Sequence, residues 1–304
     1  VANYVLPRIF QGLISILGAT AIIFAISRLD DPTLLMLPID ATPDHIEHVR
    51  KKLGLDLPLL QQYWIFLTNI LQGDFGTSYR WEQPVLPLIV DRLPATFELA
   101  AAGMIFALGL AIPFGVLSAV YRDSWFDNFA KIFAMLGQAM PNFWVGLLGI
   151  LYFSVELGLL PAFGREGFSS IIMPAIALGW YPVAAMTRVL RSAMLDVLDA
   201  DHVRMSRAIG VPNRLVIWKY ALRNAAVPLV TMMGVYFGSM LGGAFVVEVI
   251  FAWPGVGRMV VEAVFARDFP LVQAGVLFTA ILFVTINLLV DLSYGLIDPR
   301  IRND

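Results

Sequence analysis

Six stretches of this chain contain no Asp, Glu, Lys or Arg: residues 9–27, 99–120, 132–155, 168–187, 224–247 and 269–290, each 19 to 24 residues long. A helix of about 20 residues crosses a hydrocarbon core of ~30 Å. A charge at mid-membrane costs roughly 2.5–3.5 kcal/mol on insertion scales, so clean windows of this length are selected for. Buried helices of a soluble core would instead show shorter runs and amphipathic stripes. The windows therefore predict six membrane spans. Composition agrees, with 59% apolar and 14% charged residues against about 45–50% and about 25% in soluble domains. The first run is long enough to span and lacks a small-residue cleavage site at its end, so it reads as a retained helix rather than a removed signal.

Basic residues orient the spans. Alternating sides group Arg8, Arg122, Lys131, Arg300, Arg302 and the seven bases from Arg188 to Arg223, and leave Arg165, Arg258 and Arg267 in the short loops opposite. Both termini are then cytoplasmic. Residues 29–97 between the first two spans form an extracytoplasmic segment, and 98–304 a core of five spans. A short helix is expected over 43–53, and the segment has too little core to stand free of the membrane helices.

Several chemistries are excluded or disfavoured. A net charge of −2 suggests no nucleic-acid partner, and the absence of cysteine excludes disulfides and thiolate sites. No GxxxxGK[ST] occurs, and none of Lys51, Lys52, Lys131 and Lys219 precedes Ser or Thr. The chain cannot build a phosphate-cradling loop. Ion-coupled carriers, the alternative class, place ionisable groups at the midplane; here Glu98, Glu156, Glu248 and Asp291 lie at window edges and read as solvated. His45, His48 and His202 lie outside the windows. His45 and His48 read as a solvated face, so no metal site is expected.

The most informative stretch is the charged island at 199–228. Asp199 and Asp201 open it and Arg204 and Arg207 follow, an order that complements a helix dipole. Gly210 then suits a left-handed helix stop and Pro212 blocks resumption. A second short helix is expected from Asn213, carrying Lys219 and Arg223. The knob reads either as an orientation loop or as a docking element for a cytoplasmic partner. In the fifth window Gly234, Gly238 and Gly242 share a helix face, available for packing within the chain or for a pore-lining or subunit-facing ridge. Met140, Pro141 and Asn142, with Met232 and Met233, are candidates for a pathway wall, because proline kinks a span and methionine is adaptable.

Separated motifs then converge. They are Ser206-Arg207-Ala208-Ile209-Gly210 with Ala221-Leu222-Arg223-Asn224-Ala225 and Pro228; residues 44–60 (DHIEHVRKKLGLDLPLL); Gln72-Gly73-Asp74-Phe75-Gly76; Arg92-Leu93-Pro94-Ala95-Thr96; Glu248 through Trp253-Pro254-Gly255-Val256-Gly257-Arg258; and Asp298-Pro299-Arg300. Together they resemble the permease subunits of ABC importers, in the dipeptide/oligopeptide/nickel variant. The resemblance implies an all-α integral membrane protein of the bacterial inner membrane, with six transmembrane helices like those of type I importers. It implies that a coupling segment within 195–223, through Asp199, Asp201, Arg204, Ser206, Arg207, Ala208 and Gly210, docks in an ATPase cleft. It also implies that the loop of Glu248, Trp253, Pro254, Gly255, Gly257 and Arg258 dips towards the substrate pathway as an external gate. Partners so implied are a second homologous permease, two ATPase subunits, an extracytoplasmic solute-binding protein and membrane lipid. ATP and Mg would sit on the partner subunits, with no cofactor in this chain. Substrates would be di- or oligopeptides, with nickel chelate, glutathione or opine as alternatives.

Overall fold

The computed structural model describes residues 2–28, 33, 42–52 and 54–297, with described side chains ending at Val290. Residues 298–302, and the side chains of His45 and Asp291, lie outside the described residues. The described chain is helical and has no strand, only an isolated bridge between Thr77 and Pro84. Helix α1 is Ala2–Ser27, α2 Pro43–Lys52, α3 Leu59–Leu71, α4 Val85–Val120, α5 Trp125–Ala139, α6 Asn142–Glu156, α7 Ser169–Leu198, α8 Asp201–Ala208, α9 Asn213–Gly243, α10 Phe245–Ile250, α11 Val256–Phe265 and α12 Phe269–Ile297.

Five helices are long and apolar enough to span: α1, α4, α7, α9 and α12. The expected third span is instead the pair α5 and α6, bent by 102° at a break around Met140 and Pro141. Met140 is extended, with φ −89° and ψ 123°. That follows from its neighbour, because the proline ring excludes the preceding residue from the helical region. Two helices contain single π-helical turns, Ile150–Glu156 in α6 and Val216–Ala221 in α9.

The helices outrun their apolar windows. At 1.5 Å per residue, α4 with 36 residues is about 54 Å long and α7 with 30 is about 45 Å. Their charged ends therefore project beyond the hydrocarbon. The expected second short helix after Gly210 is not separate; it is the first turns of α9, continuous through the π turn.

The core lies on the contact between α4 and α7, the most extensive in the molecule. Leu99, Ala107, Ala111 and Val116 of α4 are buried with Val183, Met186, Leu190 and Met194 of α7. At the crossing the two backbones touch: a Cβ at Gly179 would stand 2.5 Å from the carbonyl oxygen of Gly103. Helix α5 reaches α7 in the same way, with Gly137 against the Ala184 methyl. Without a hydrophobic drive between helices in lipid, such small-residue approaches supply the packing. The ridge of Gly234, Gly238 and Gly242 is used similarly. It faces α12 of this chain, against Val290, Ile286 and Thr279 respectively.

Helix α3 rests on α1. Tyr63 of α3 shares a 2.9 Å hydrogen bond with Thr20 of α1, and its ring lies 5.3 Å from that of Phe24.

Gly179→Ala should destabilise the purified protein by roughly 1–3 kcal/mol, because the new methyl meets backbone that cannot rotate away. Gly109→Ala on α4, where a Cβ meets nothing within 4 Å, should be neutral or stabilising by up to about 1 kcal/mol through helix propensity. Thermal unfolding in detergent, run on both variants, checks the order.

Candidate functional site

Three clusters carry the sequence candidates, one at each end of the bundle and one between. At one end stands α8. Its N-cap is Ala200, and Asp199 caps the end of α7 rather than opening α8. Asp201 lies in the first turn and Arg207 in the last, as the dipole favours. Gly210 has φ +84°, and the amides of Gly210 and Val211 donate to the carbonyls of Arg207 and Ser206. This is a Schellman stop, which satisfies the last carbonyls through a left-handed residue. Of α8 only Val203 is buried. A 3.1 Å contact between His202 Nε2 and Asn224 Nδ2 adds a tie to α9. Asp201, Arg204, Met205, Arg207, Ala208 and Ile209 are exposed, Met205 at 63% and Ile209 at 67%. The short helix thus exposes Met205 between Arg204 and Arg207, and Ile209 at its cap, over one buried valine.

Just behind it the bundle is pinned by a carboxylate that sequence reading missed. Asp127 of α5 is fully buried and receives Arg191 of α7 through two bonds of 2.6 and 2.7 Å, with Lys131 at 2.9 Å. A local signal existed in Ser124, whose hydroxyl caps α5 by accepting from the Asp127 amide, but Arg191 is 64 residues away.

At the opposite end the loop after α9 folds around a second buried carboxylate. Glu248 was expected to be solvated at a window edge; it is fully buried. Its Oε1 accepts from the Thr96 hydroxyl at 2.8 Å, and its Oε2 from the Arg258 amide at 2.9 Å. Thr96 Oγ1 accepts in turn from the Val256 amide at 2.9 Å, so its proton is committed to Glu248. Burial pushes the Glu248 carboxyl above its ordinary range, while the Arg258 amide, the Thr96 hydroxyl and the Gly257 amide pull it back. A Cβ at Gly255 would lie 2.2 Å from Glu248 Oε1, and one at Gly257 would lie 2.9 Å from Oε2. Pro254, Gly255 and Gly257 therefore let backbone, not side chain, wrap the carboxylate. Trp253 is also fully buried, and its indole Nε1 donates to Ala95 O at 2.8 Å. Arg258 turns away to Ala252 O and Glu262. The loop is thus fastened to the start of α4 at Ala95 and Thr96.

Between the ends, the break in the third span opens a cavity of about 350 Å³. Gln138, Met140 and Asn142 flank the break; Tyr181 of α7 and Tyr236 and Ser239 of α9 face them. The two tyrosine rings meet edge to face at 5.8 Å. Met140, Pro141 and Asn142 all line this cavity. Met232 and Met233 are not in the lining; they pack, partly buried, against the core. The missed residues fall at helical spacing, Tyr236, Ser239 and Gly243 on one face of α9. Polar groups recurring along one face of an otherwise apolar span were the available signal.

Comparison with known proteins matches this arrangement along the whole chain. Residues 111–303 match the family model "Binding-protein-dependent transport system inner membrane component", and residues 1–100 match its N-terminal companion, "Binding-prot-dependent transport system membrane comp, N-term". The chain belongs to this family. It is 43% identical over 302 residues to the glutathione transport system permease protein GsiC of Pectobacterium atrosepticum, covering 99% of each chain. It is 38% identical over 329 residues to the dipeptide transport system permease protein DppB of Alkalihalophilus pseudofirmus, covering 98% of this chain and 99% of the relative. GsiC of Escherichia coli strain K12 is 40% identical over 302 residues, covering 99% of each chain.

The binding-protein-dependent permease is therefore a multi-pass membrane component of a transport system and not an enzyme. Within this permease the expected motifs are contacts as well as signatures. Arg92-Leu93-Pro94-Ala95-Thr96 and the 248–258 loop, far apart in sequence, form one hydrogen-bonded unit.

Thr96→Val should cost roughly 1.5–3 kcal/mol, since it removes a hydrogen bond to a buried charge and strands the Val256 amide. Hydrogen exchange should rise at the Val256 and Arg258 amides, whereas Thr96→Ser should retain protection. Unchanged exchange in the valine variant would show that the latch does not hold the loop.

Proposed function

We propose that this chain is a pathway-forming permease subunit of an ATP-driven importer for di- or oligopeptides or the tripeptide glutathione. The names of its relatives support a peptide-type substrate over a nickel chelate or an opine. It would pair with a second homologous permease, two ATPase subunits that carry ATP and Mg, and an external solute-binding protein. The excess of basic residues on the α8 side supports cytoplasmic termini and a cytoplasmic α8. In this reading α8, with Asp201, Arg204, Ser206, Arg207 and Ala208, docks on an ATPase. The Glu248–Arg258 loop closes the outer end, and the cavity at Gln138, Asn142, Tyr181 and Tyr236 lines the route. ATP-driven closure of the ATPases would push α8 and tilt the bundle between inward- and outward-facing states, a rigid-body transition that needs no chemistry in this chain.

The observation that carries the reading is the exposure of α8 beyond its one buried residue, Val203. Gly210→Val tests it. A Cβ at Gly210 meets nothing within 4 Å, so any effect comes from the backbone: a β-branched residue resists φ +84°. Membrane abundance should stay normal, while transport and stimulation of ATP hydrolysis by loaded binding protein are lost. Full, stimulated transport by the variant would leave α8 only an orienting role.

A further inference from the structure

No Asp, Glu, Lys or Arg occurs between Asp56 and Asp74. Helix α3, Leu59–Leu71, fills most of that interval; at 1.5 Å per residue it is about 20 Å long, too short to cross ~30 Å of hydrocarbon. One face turns to protein. The rings of Tyr63 and Phe66 lie 5.3 and 5.6 Å from that of Phe24 on α1, and Gln62 is buried. Leu60, Trp64, Leu67 and Leu71, spaced four, three and four residues apart, form a second face. Leu60, Trp64 and Leu71 are 83, 67 and 86% exposed. Gln61 and Thr68, seven residues apart, mark a polar strip beside that stripe. A continuous apolar stripe of this kind is a contact surface.

What covers it follows from where α3 is attached. The Tyr63 hydroxyl meets Thr20 Oγ1 at 2.9 Å and donates to Leu17 O at 3.3 Å. Those residues stand seven and ten before the end of α1 at Ser27, about 10–15 Å down the span. Leu17, Ile22 and Ile26 of α1 are exposed as well, so α3 adjoins an open apolar surface at a level inside the charge-free window 9–27. Its backbone is closed for such a medium. Gly73 has φ +80°, and the amides of Gly73 and Asp74 donate to Ile70 O and Asn69 O, both at 2.9 Å, a Schellman stop. At the other end the Gln62 amide donates to Leu57 O at 2.8 Å. In hydrocarbon, carbonyls need such internal partners because water is absent.

We propose that α3 is a lipid anchor: it lies in the bilayer interface at the Glu248 end of the bundle, with Leu60, Trp64, Leu67 and Leu71 among acyl chains and Gln61 and Thr68 towards the headgroups. Its ligand is the phospholipid surface itself. Without a charge in the helix, the attraction is burial of apolar area rather than pairing with headgroup charge, and the Trp64 and Tyr63 rings suit that depth. The proposal needs α1 to be a span and is independent of the solute and of the ATPase.

The chain has no cysteine, so Leu60→Cys, Trp64→Cys and Gln61→Cys each place a single nitroxide label on α3, with Ile22→Cys on α1 as the reference. The labelled chains are assembled into an otherwise cysteine-free importer in phospholipid vesicles. Relaxation of each label by oxygen, which concentrates in lipid, is compared with relaxation by chromium oxalate, which stays in water. At positions 60 and 64 oxygen should dominate, with a ratio that corresponds to a depth of about 5–10 Å. At position 61 chromium oxalate should dominate. Labels at 60 and 64 as open to chromium oxalate as the label at 61 would put the stripe in water and overturn the proposal. Protection of 60 and 64 from both reagents would show that a protein, the second permease or the binding protein, covers the stripe, and would overturn it equally. Chromium oxalate dominating at Ile22→Cys would instead remove α1 as a span, and the anchor with it.

Discussion

Everything in this fold depends on α4 and α7 touching backbone to backbone at Gly103 and Gly179. In lipid, two apolar helices have little reason to prefer each other over acyl chains, so the contact must come from dispersion at close approach. A single methyl at Gly179 would separate the helices where their buried side chains interlock. Because α5 lies on the same face of α7 through Gly137 and Ala184, and α9 packs on α7 as well, displacement of α7 displaces the surroundings of the cavity. The crossing makes α7 the spine of the molecule, and α8 is its continuation after a two-residue break.

Two buried carboxylates complete the mechanical design. Asp127 ties α5 to α7, and Glu248 ties the loop after α9 to α4. Each sits where the hydrocarbon ends and water competes for backbone groups, so each must replace water with protein donors. Asp127 does so with two cations and Glu248 with a hydroxyl and main-chain amides. Removing one partner from such a site is costly, because it leaves a buried charge short of a donor. The bundle is thereby stiff at both ends and open at the middle, where Pro141 breaks the third span and no buried charge holds the wall. An α-helix that must break in lipid needs its freed backbone groups lined by protein or water, and the polar cavity at Gln138 and Asn142 provides such a lining.

Legibility in the sequence followed the range of the interaction. Spans were readable because lack of charge over some 20 residues is a local property, and the Gly210 stop because Pro212 and the preceding arginines are neighbours. The α5–α6 break was half readable: Pro141 was visible, but not that Met140 would turn the chain by 102°. The carboxylate sites were not readable, since Glu248 meets Thr96 across 152 residues and Asp127 meets Arg191 across 64. Glu248 misled for one reason. Position at a window edge suggested water, whereas its carboxylate accepts a hydrogen bond from Thr96 of α4, beside the Trp253 indole bonded to Ala95. The glycines of α9 gave the correct face but not the partner, which only the placement of α12 supplies.

The central claim is that α8, α7 and α5 move as one body. Pulsed electron paramagnetic resonance tests it with spin labels at Met205→Cys on α8 and Leu136→Cys on α5, both exposed positions, in the assembled importer. The account predicts one narrow distance distribution, unchanged between the nucleotide-free state and the ATP-bound state of a hydrolysis-deficient complex. A shift of several ångströms, or a second population on adding ATP, would mean that α8 moves independently of the spine and would contradict the account.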